Sequence, residues 1–246
     1  MKIYKAYLLV AGFCLSLTAM AQEDDFGVWT SVGATKKITK DFGITGELEY
    51  RTRNDSKTTE RWSGELSMNY KLAPYLKLEG GYVYIYYNHP SEFTSKGNYI
   101  PEYWSPRHRL YFGAAGSYKT NRWTFSLRER YQYTYRTSLT VPKYSDTSKT
   151  EQKSDEEISG KSTSILRSRL QVEYDIKGSP FKPFASCELF NLISDGMKND
   201  KTRWTIGTDF ALNKSNSIEL YYRYQKQADD DEANGHILGI GYSIKF

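Results

Sequence analysis

From Phe42 onward, hydrophobic and polar positions alternate one by one. Phe42, Ile44, Gly46, Leu48 and Tyr50 fall on one side of an extended chain, and Thr45, Glu47, Glu49, Arg51 and Arg53 on the other. After a polar connection the alternation resumes, with Trp62, Gly64, Leu66, Met68 and Tyr70 opposite Arg61, Ser63, Glu65, Ser67 and Asn69. Successive side chains of a strand point to opposite faces, so a period of two predicts strands. Each segment is about ten residues or longer and carries aromatics towards the ends of its apolar stripe, the pattern of a strand that crosses an outer membrane. The expected fold is therefore all-β: a transmembrane up-and-down antiparallel β-barrel of ten to twelve strands.

The same pattern marks eleven candidate strands: Phe26 to Ile38, Phe42 to Arg53, Glu60 to Leu72, Leu76 to Tyr87, Arg107 to Lys119, Trp123 to Thr137, Ile165 to Ile176, Pro183 to Ile193, Arg203 to Leu212, Ser217 to Lys226 and Gly235 to Phe246. Short connections at 39–41, 73–75, 120–122, 177–182 and 213–216 alternate with longer ones at 54–58, 88–106, 138–164, 194–202 and 227–234. Outer-membrane barrels have short periplasmic turns and longer outside loops, which sets the expected orientation. Such barrels normally have an even number of strands, so ten or twelve strands remain alternatives to eleven. Pro74, Pro90, Pro101, Pro106, Pro142 and Pro180 fall in connections and Pro183 at a strand start, where a missing donor does least harm.

The last segment places Leu238, Ile240, Tyr242, Ile244 and Phe246 on one face and ends on an aromatic residue. This resembles the carboxy-terminal signal read by the outer-membrane assembly machinery, which is thus an expected partner. Outer-membrane lipid and lipopolysaccharide are the others.

Composition supports the same picture. The chain has 22 Tyr, 11 Phe and 5 Trp, yet only 39% of its residues are hydrophobic. An ordinary globular domain reaches about 45–50% with glycine counted; a barrel escapes the shortfall because lipid covers its apolar face. Residues 1–21 read as a secretory signal, with Lys2 and Lys5, an apolar stretch from Leu8 to Leu17, and Ala19-Met20-Ala21 at the cleavage site. The barrel domain is then 22–246. Loss of the leader takes away Cys14, leaving Cys187 without a disulfide partner, and lowers the formal charge from +5 by two, to +3. That balance gives no reason to expect nucleic acid.

Phe26-Gly27-Val28-Trp29, Leu48-Glu49-Tyr50-Arg51 and Leu127-Arg128-Glu129-Arg130-Tyr131 together resemble a family of uncharacterised outer-membrane barrels from Gram-negative bacteria, domain of unknown function twenty-four-ninety. The resemblance covers nearly all of the chain after the leader. It implies a location and a fold, and carries no activity and no catalytic residues.

The inward face holds the candidate chemistry. Its outer half collects Arg51, Arg53, Arg61, Arg107, Arg109, Arg128, Arg130, Arg136, Arg167, Arg169, Arg203 and Arg223, and its inner half Glu47, Glu65, Glu79, Glu173, Asp175, Asp209 and Glu219. On one reading these charges pair across the ladder and fill a narrow interior. On the other, the arginine belt exceeds its local carboxylates and draws anionic solutes into a vestibule. Glu129 breaks the pattern by pointing at lipid between Leu127 and Tyr131; a local bulge that re-aims it is the expectation, and a protomer contact the alternative.

A lipid-modifying enzyme is the chief rival. His108 shares a face with Leu110 and Phe112, and His236 with Leu238 and Ile240, which would set both on the lipid-facing rim near serines such as Ser105 and Ser91. No serine stands in a nucleophile motif, so interfacial histidines without chemistry are the expectation. The acidic runs Asp229-Asp230-Asp231-Glu232 and Glu151 with Asp155-Glu156-Glu157 lack the ligand spacing of a metal loop, and no metal or other cofactor is expected. The tyrosines of Tyr82-Val83-Tyr84-Ile85-Tyr86-Tyr87 and Tyr131-Gln132-Tyr133-Thr134-Tyr135 read as a membrane girdle rather than a sugar platform. A binding scaffold built on the long outer loops, chiefly 145–160, is a third option.

Overall fold

The structure is a computed structural model that describes residues 24–228 and 233–246. The leader, 1–21, and the acidic run 229–232 lie outside the described residues. In chain order the strands are β1 (Asp25–Lys37), β2 (Phe42–Arg53), β3 (Thr58–Ala73), β4 (Leu76–His89), β5 (Glu92–Phe93), β6 (Tyr99–Ile100), β7 (Tyr103–Thr120), β8 (Trp123–Arg136), β9 (Leu139–Val141), β10 (Glu156–Ile158), β11 (Lys161–Tyr174), β12 (Phe181–Leu192), β13 (Lys198–Ala211), β14 (Asn216–Gln227) and β15 (Gly235–Lys245).

Eleven of these close one barrel in the order β1-β15-β14-β13-β12-β11-β8-β7-β4-β3-β2. The count is odd, and closure shows how. β1 and β15 run parallel, with Asp25 opposite Gly235 and Trp29 opposite Gly239, while the other barrel neighbours are antiparallel. The starts of β1 and β15 therefore share the rim of the longer connections, and Phe246 lies at the rim of the short turns. A closed wall has no free edge for another chain to pair with, and every strand interior finds its ladder partners within the chain.

Alternation holds around the wall. Leu48, Leu66 and Phe112 face outward with 71%, 61% and 66% of their surface exposed, whereas Val83, Ile85 and Tyr111 pack together inside. The tyrosine-rich stretches split accordingly: Tyr82, Tyr84 and Tyr86, with Tyr131, Tyr133 and Tyr135, lie on the exposed outer face. Inside, small residues admit large ones. A Cβ on Gly239 would lie 1.9 Å from the Tyr221 ring, and one on Gly81 would lie 2.7 Å from the Tyr111 hydroxyl. Each ring thus lies over a glycine on a neighbouring strand, a device that stiffens a curved sheet.

Three expectations are corrected. β7 starts at Tyr103 rather than Arg107, so Pro106 lies within a strand, opposite Tyr86 near the long-loop rim. Water at that rim can serve the carbonyl that proline leaves without a donor. Glu129 sits on no bulge: its ladders run unbroken through Ala114↔Glu129 on one side and Glu129↔Ser168 on the other, and the side chain faces outward. The register shifts elsewhere, between β2 and β3 at Arg51 and Thr52, between β3 and β4 at Lys71 and Ala73, and between β12 and β13 at Phe190 and Asn191. At the first of these, Arg51, Thr52, Arg53, Glu60 and Arg61 all reach the interior.

Candidate functional site

The half of the interior next to the long-loop rim encloses a cavity of about 650 Å³. Inward alternation aims arginines into it from around the wall: Arg51 and Arg53 from β2, Arg61 from β3, Arg107 and Arg109 from β7, Arg128 from β8, Arg167 and Arg169 from β11, Arg203 from β13 and Arg223 from β14. The carboxylates in its lining are Asp25, Glu60, Glu188 and Glu219.

Pairing neutralises part of this charge. Glu188 accepts from Arg128 at 2.6 Å and from Arg167 at 3.0 Å. Glu49 accepts from Arg51 at 2.7 Å, Arg61 at 2.9 Å and the Ser63 hydroxyl at 3.1 Å. Arg53 reaches the Asn88 carbonyl and lies 3.8 Å from Glu102. Guanidinium groups at these positions are largely desolvated, so each shared carboxylate holds two cations that would otherwise repel.

The pairing is incomplete. Arg109 donates to the Thr134 hydroxyl, Arg203 to the Gln225 carbonyl and Arg223 to the Thr205 hydroxyl, all neutral acceptors at 2.7–3.1 Å. Among the described residues none of these three, nor Arg169, has a carboxylate oxygen within 4.0 Å. The Nε atoms of Arg51, Arg61, Arg128, Arg167 and Arg169 are buried with no hydrogen-bond acceptor among the described residues. Aromatic faces support the cluster: Trp29 takes the Arg51 guanidinium at 3.3 Å and Arg223 at 5.0 Å, and Phe190 takes Arg167 at 4.6 Å and Arg203 at 4.5 Å. Such stacking offsets some of the cost of crowding cations out of water.

Arg130 stands apart from the cavity. It donates to Glu79 at 2.9 Å and its guanidinium lies 3.9 Å from the Tyr111 ring, whose hydroxyl donates to Glu65 at 2.5 Å. Arg136 donates to the Ser159 carbonyl. Towards the short turns, carboxylates stand directly across from one another, Glu47 opposite Glu65 and Asp209 opposite Glu219. Glu173 lies near the same rim on β11, opposite Phe184, and Asp175 follows that strand in the turn. The interior is thus polarised along its axis, guanidinium at one end and carboxylate at the other.

Glu49 and Glu188 are the two acids that knit the belt together, and neither stood among the sequence candidates for the acidic half. Glu49 was legible on the charged face of β2. Glu188 was hidden because Phe184 and Phe190 share its inward face, which blurs the polar stripe of β12.

The histidines find partners other than a reactive serine. His108 Nδ1 lies 2.7 Å from the Tyr82 hydroxyl. His236 Nδ1 lies 2.5 Å from the Tyr222 hydroxyl and its Nε2 3.0 Å from Asp24. The Ser–His pair that does form is Ser105 with His89, at 2.8 Å, and Ser105 has no exposed surface to offer a substrate. In the outer loops Lys143 binds Glu156 and Lys153 binds Glu151, each at 2.6 Å. Among the described residues no three His, Cys, Asp or Glu side chains converge as metal ligands would.

A closed wall, antiparallel except where β1 meets β15, apolar outside and charged inside, defines a transmembrane β-barrel. The chain belongs to the family described as protein of unknown function (DUF2490), whose model matches residues 26–235. No curated protein matches it. Among solved structures, it resembles the translocator domain of the autotransporter NalP from Neisseria meningitidis, at TM-score 0.62 and 12% identity over 92% of this chain and 91% of that one. The β domain of the Bordetella autotransporter BrkA is also similar, at TM-score 0.52 and 13% identity, covering 84% of this chain and 82% of the other. At these identities the likeness is one of fold.

Proposed function

We propose that this protein is an outer-membrane barrel that admits anionic solutes, such as carboxylates or phosphates, into an arginine-lined vestibule open at its outer end. The observation that carries this reading is the excess of guanidinium groups over carboxylates around the cavity, with Arg109, Arg169, Arg203 and Arg223 free of a carboxylate partner among the described residues. A cleft of one charge sign with low-dielectric walls concentrates ions of the opposite sign, and guanidinium matches carboxylate and phosphate geometry. The fold supports the outer membrane as the location, and the leader expected at 1–21 fits it. The short-turn rim then faces the periplasm and the vestibule faces the exterior.

The test is the reversal potential of the purified, refolded protein in a planar bilayer under a potassium chloride gradient. Conductance with a chloride-side reversal supports the reading. A silent or cation-selective protein contradicts it.

A further inference from the structure

Glu129 sets a carboxyl group on the outward face of the barrel wall. On β8 the outward side chains run Trp123, Phe125, Leu127, Glu129, Tyr131, Tyr133 and Tyr135, so Glu129 stands midway between the aromatics of the two rims. Its Oε2 accepts from the Ser168 hydroxyl at 2.6 Å, and Ser168 is the hydrogen-bond partner that it has among the described residues. On its other flank, across β7, the facing residue is Ala114. A carboxyl group, a hydroxyl and a methyl group therefore make a shallow polar notch at mid-depth in a wall whose neighbours are Leu127, Phe112 and Leu170. Hydrocarbon offers a carboxyl group nothing to bond with, and a polar group held at such a depth finds its partner inside protein.

We infer that this notch, on the β7–β8–β11 face, is the contact between two copies of the chain. The argument is one of depth and self-complementarity. Two copies inserted in the same direction are related by a twofold axis along the membrane normal, which keeps every residue at its own depth. Glu129 of one copy therefore meets Glu129 or Ser168 of the other and no deeper or shallower group. Facing carboxyl groups that share a proton hydrogen-bond each other directly, and Ser168 in each copy secures the second oxygen. An isologous interface requires this property, that one patch satisfies itself. Ala114 leaves room for the close approach that interfaces in lipid favour. A helix from a different membrane protein would need a donor placed at this depth, whereas a second copy brings one by symmetry.

The experiment measures self-association of the full chain in lipid vesicles. Donor and acceptor dyes are placed at Ser148→Cys, an exposed position between β9 and β10, in a Cys187→Ser background, and energy transfer is followed as protein is diluted into lipid. Dimers are expected, with roughly tenfold weaker association after Glu129→Leu. Ser168→Ala is expected to weaken it as well, and Glu129→Gln to preserve it within a few-fold, because paired amides also bond each other. Ile240→Ala, mid-depth on the opposite wall, is expected to leave it unchanged. Retained heat-modifiable migration on gels shows that each variant is folded. Absence of concentration-dependent transfer overturns the inference, as does association that survives both Glu129→Leu and Ser168→Ala. Monomeric protein with a Glu129-dependent attachment to another chain also overturns it. None of these outcomes bears on anion selectivity, which the vestibule decides separately.

Discussion

Glu188 on β12 binds Arg128 on β8 across the intervening strand β11, while also holding Arg167 of β11 itself. One carboxylate thus ties three consecutive strands from inside the barrel. Glu188→Gln leaves two largely buried guanidinium groups without their counter-charge, and removing one member of a buried ion pair costs about 3 kcal/mol. The urea midpoint of the refolded protein should fall accordingly, while the reversal potential moves further to the anion side. An unchanged midpoint would mean that water in the cavity already screens the pair.

Arg109 and Arg223 bond only to threonine hydroxyls among the described residues. Their replacement by glutamine removes two positive charges and breaks no ion pair within 4.0 Å. The double variant Arg109→Gln/Arg223→Gln is expected to keep or raise its urea midpoint, because the remaining guanidinium groups repel one another less. Its anion preference should decline in the same bilayer recordings. Undiminished preference would shift selectivity to another part of the interior.

Tyr221 lies against Gly239 so closely that no side chain fits between them. Gly239→Ala forces the ring or the ladder aside, at about 1–3 kcal/mol as in other overpacked interiors. A lower refolding yield and a lower urea midpoint are expected. The second change Tyr221→Ser should restore the midpoint if the clash is the cause, and should fail to restore it otherwise.

The β9–β10 hairpin and the β5–β6 hairpin meet through Tyr99 and Tyr144, above the wall, and none of their residues lines the cavity. Deletion of 145–160 is therefore expected to leave heat-modifiable migration and conductance in place. Loss of either would show that the outer loops hold the vestibule together. Loss of a surface ligand with conductance intact would favour a scaffold role for these loops.

Much of the wall was legible because lipid enforces strict alternation. Leu48, Leu66 and Phe112 have no other place to be, and the segment from Phe42 to Arg53 matches β2 to the residue. Where that constraint lapses, the pattern lost force. Near the long-loop rim water relaxes it, so Pro106 within β7 and the register shift at Arg51 and Thr52 left no trace in the alternation. The eleven candidate segments were visible, but the alternation left ten, eleven and twelve wall strands open, and it did not show the closure: an odd number requires β1 to lie parallel to β15, and a pairing between chain ends has no local signature. For the interior, alternation shows which side chains share a face and says nothing of which acid binds which arginine. Glu188 reaches two arginines on two strands because of barrel curvature, a property of the closed wall rather than of any segment.

A chemical probe of the vestibule's field is the most direct measurement. Thr163 lines the cavity, and a single cysteine there, in the Cys187→Ser background, can be offered anionic and cationic thiosulfonate reagents of equal size. The arginine belt predicts faster modification by the anionic reagent, with the difference shrinking as salt is raised. Faster modification by the cationic reagent, or equal rates at low salt, would contradict a positively charged vestibule.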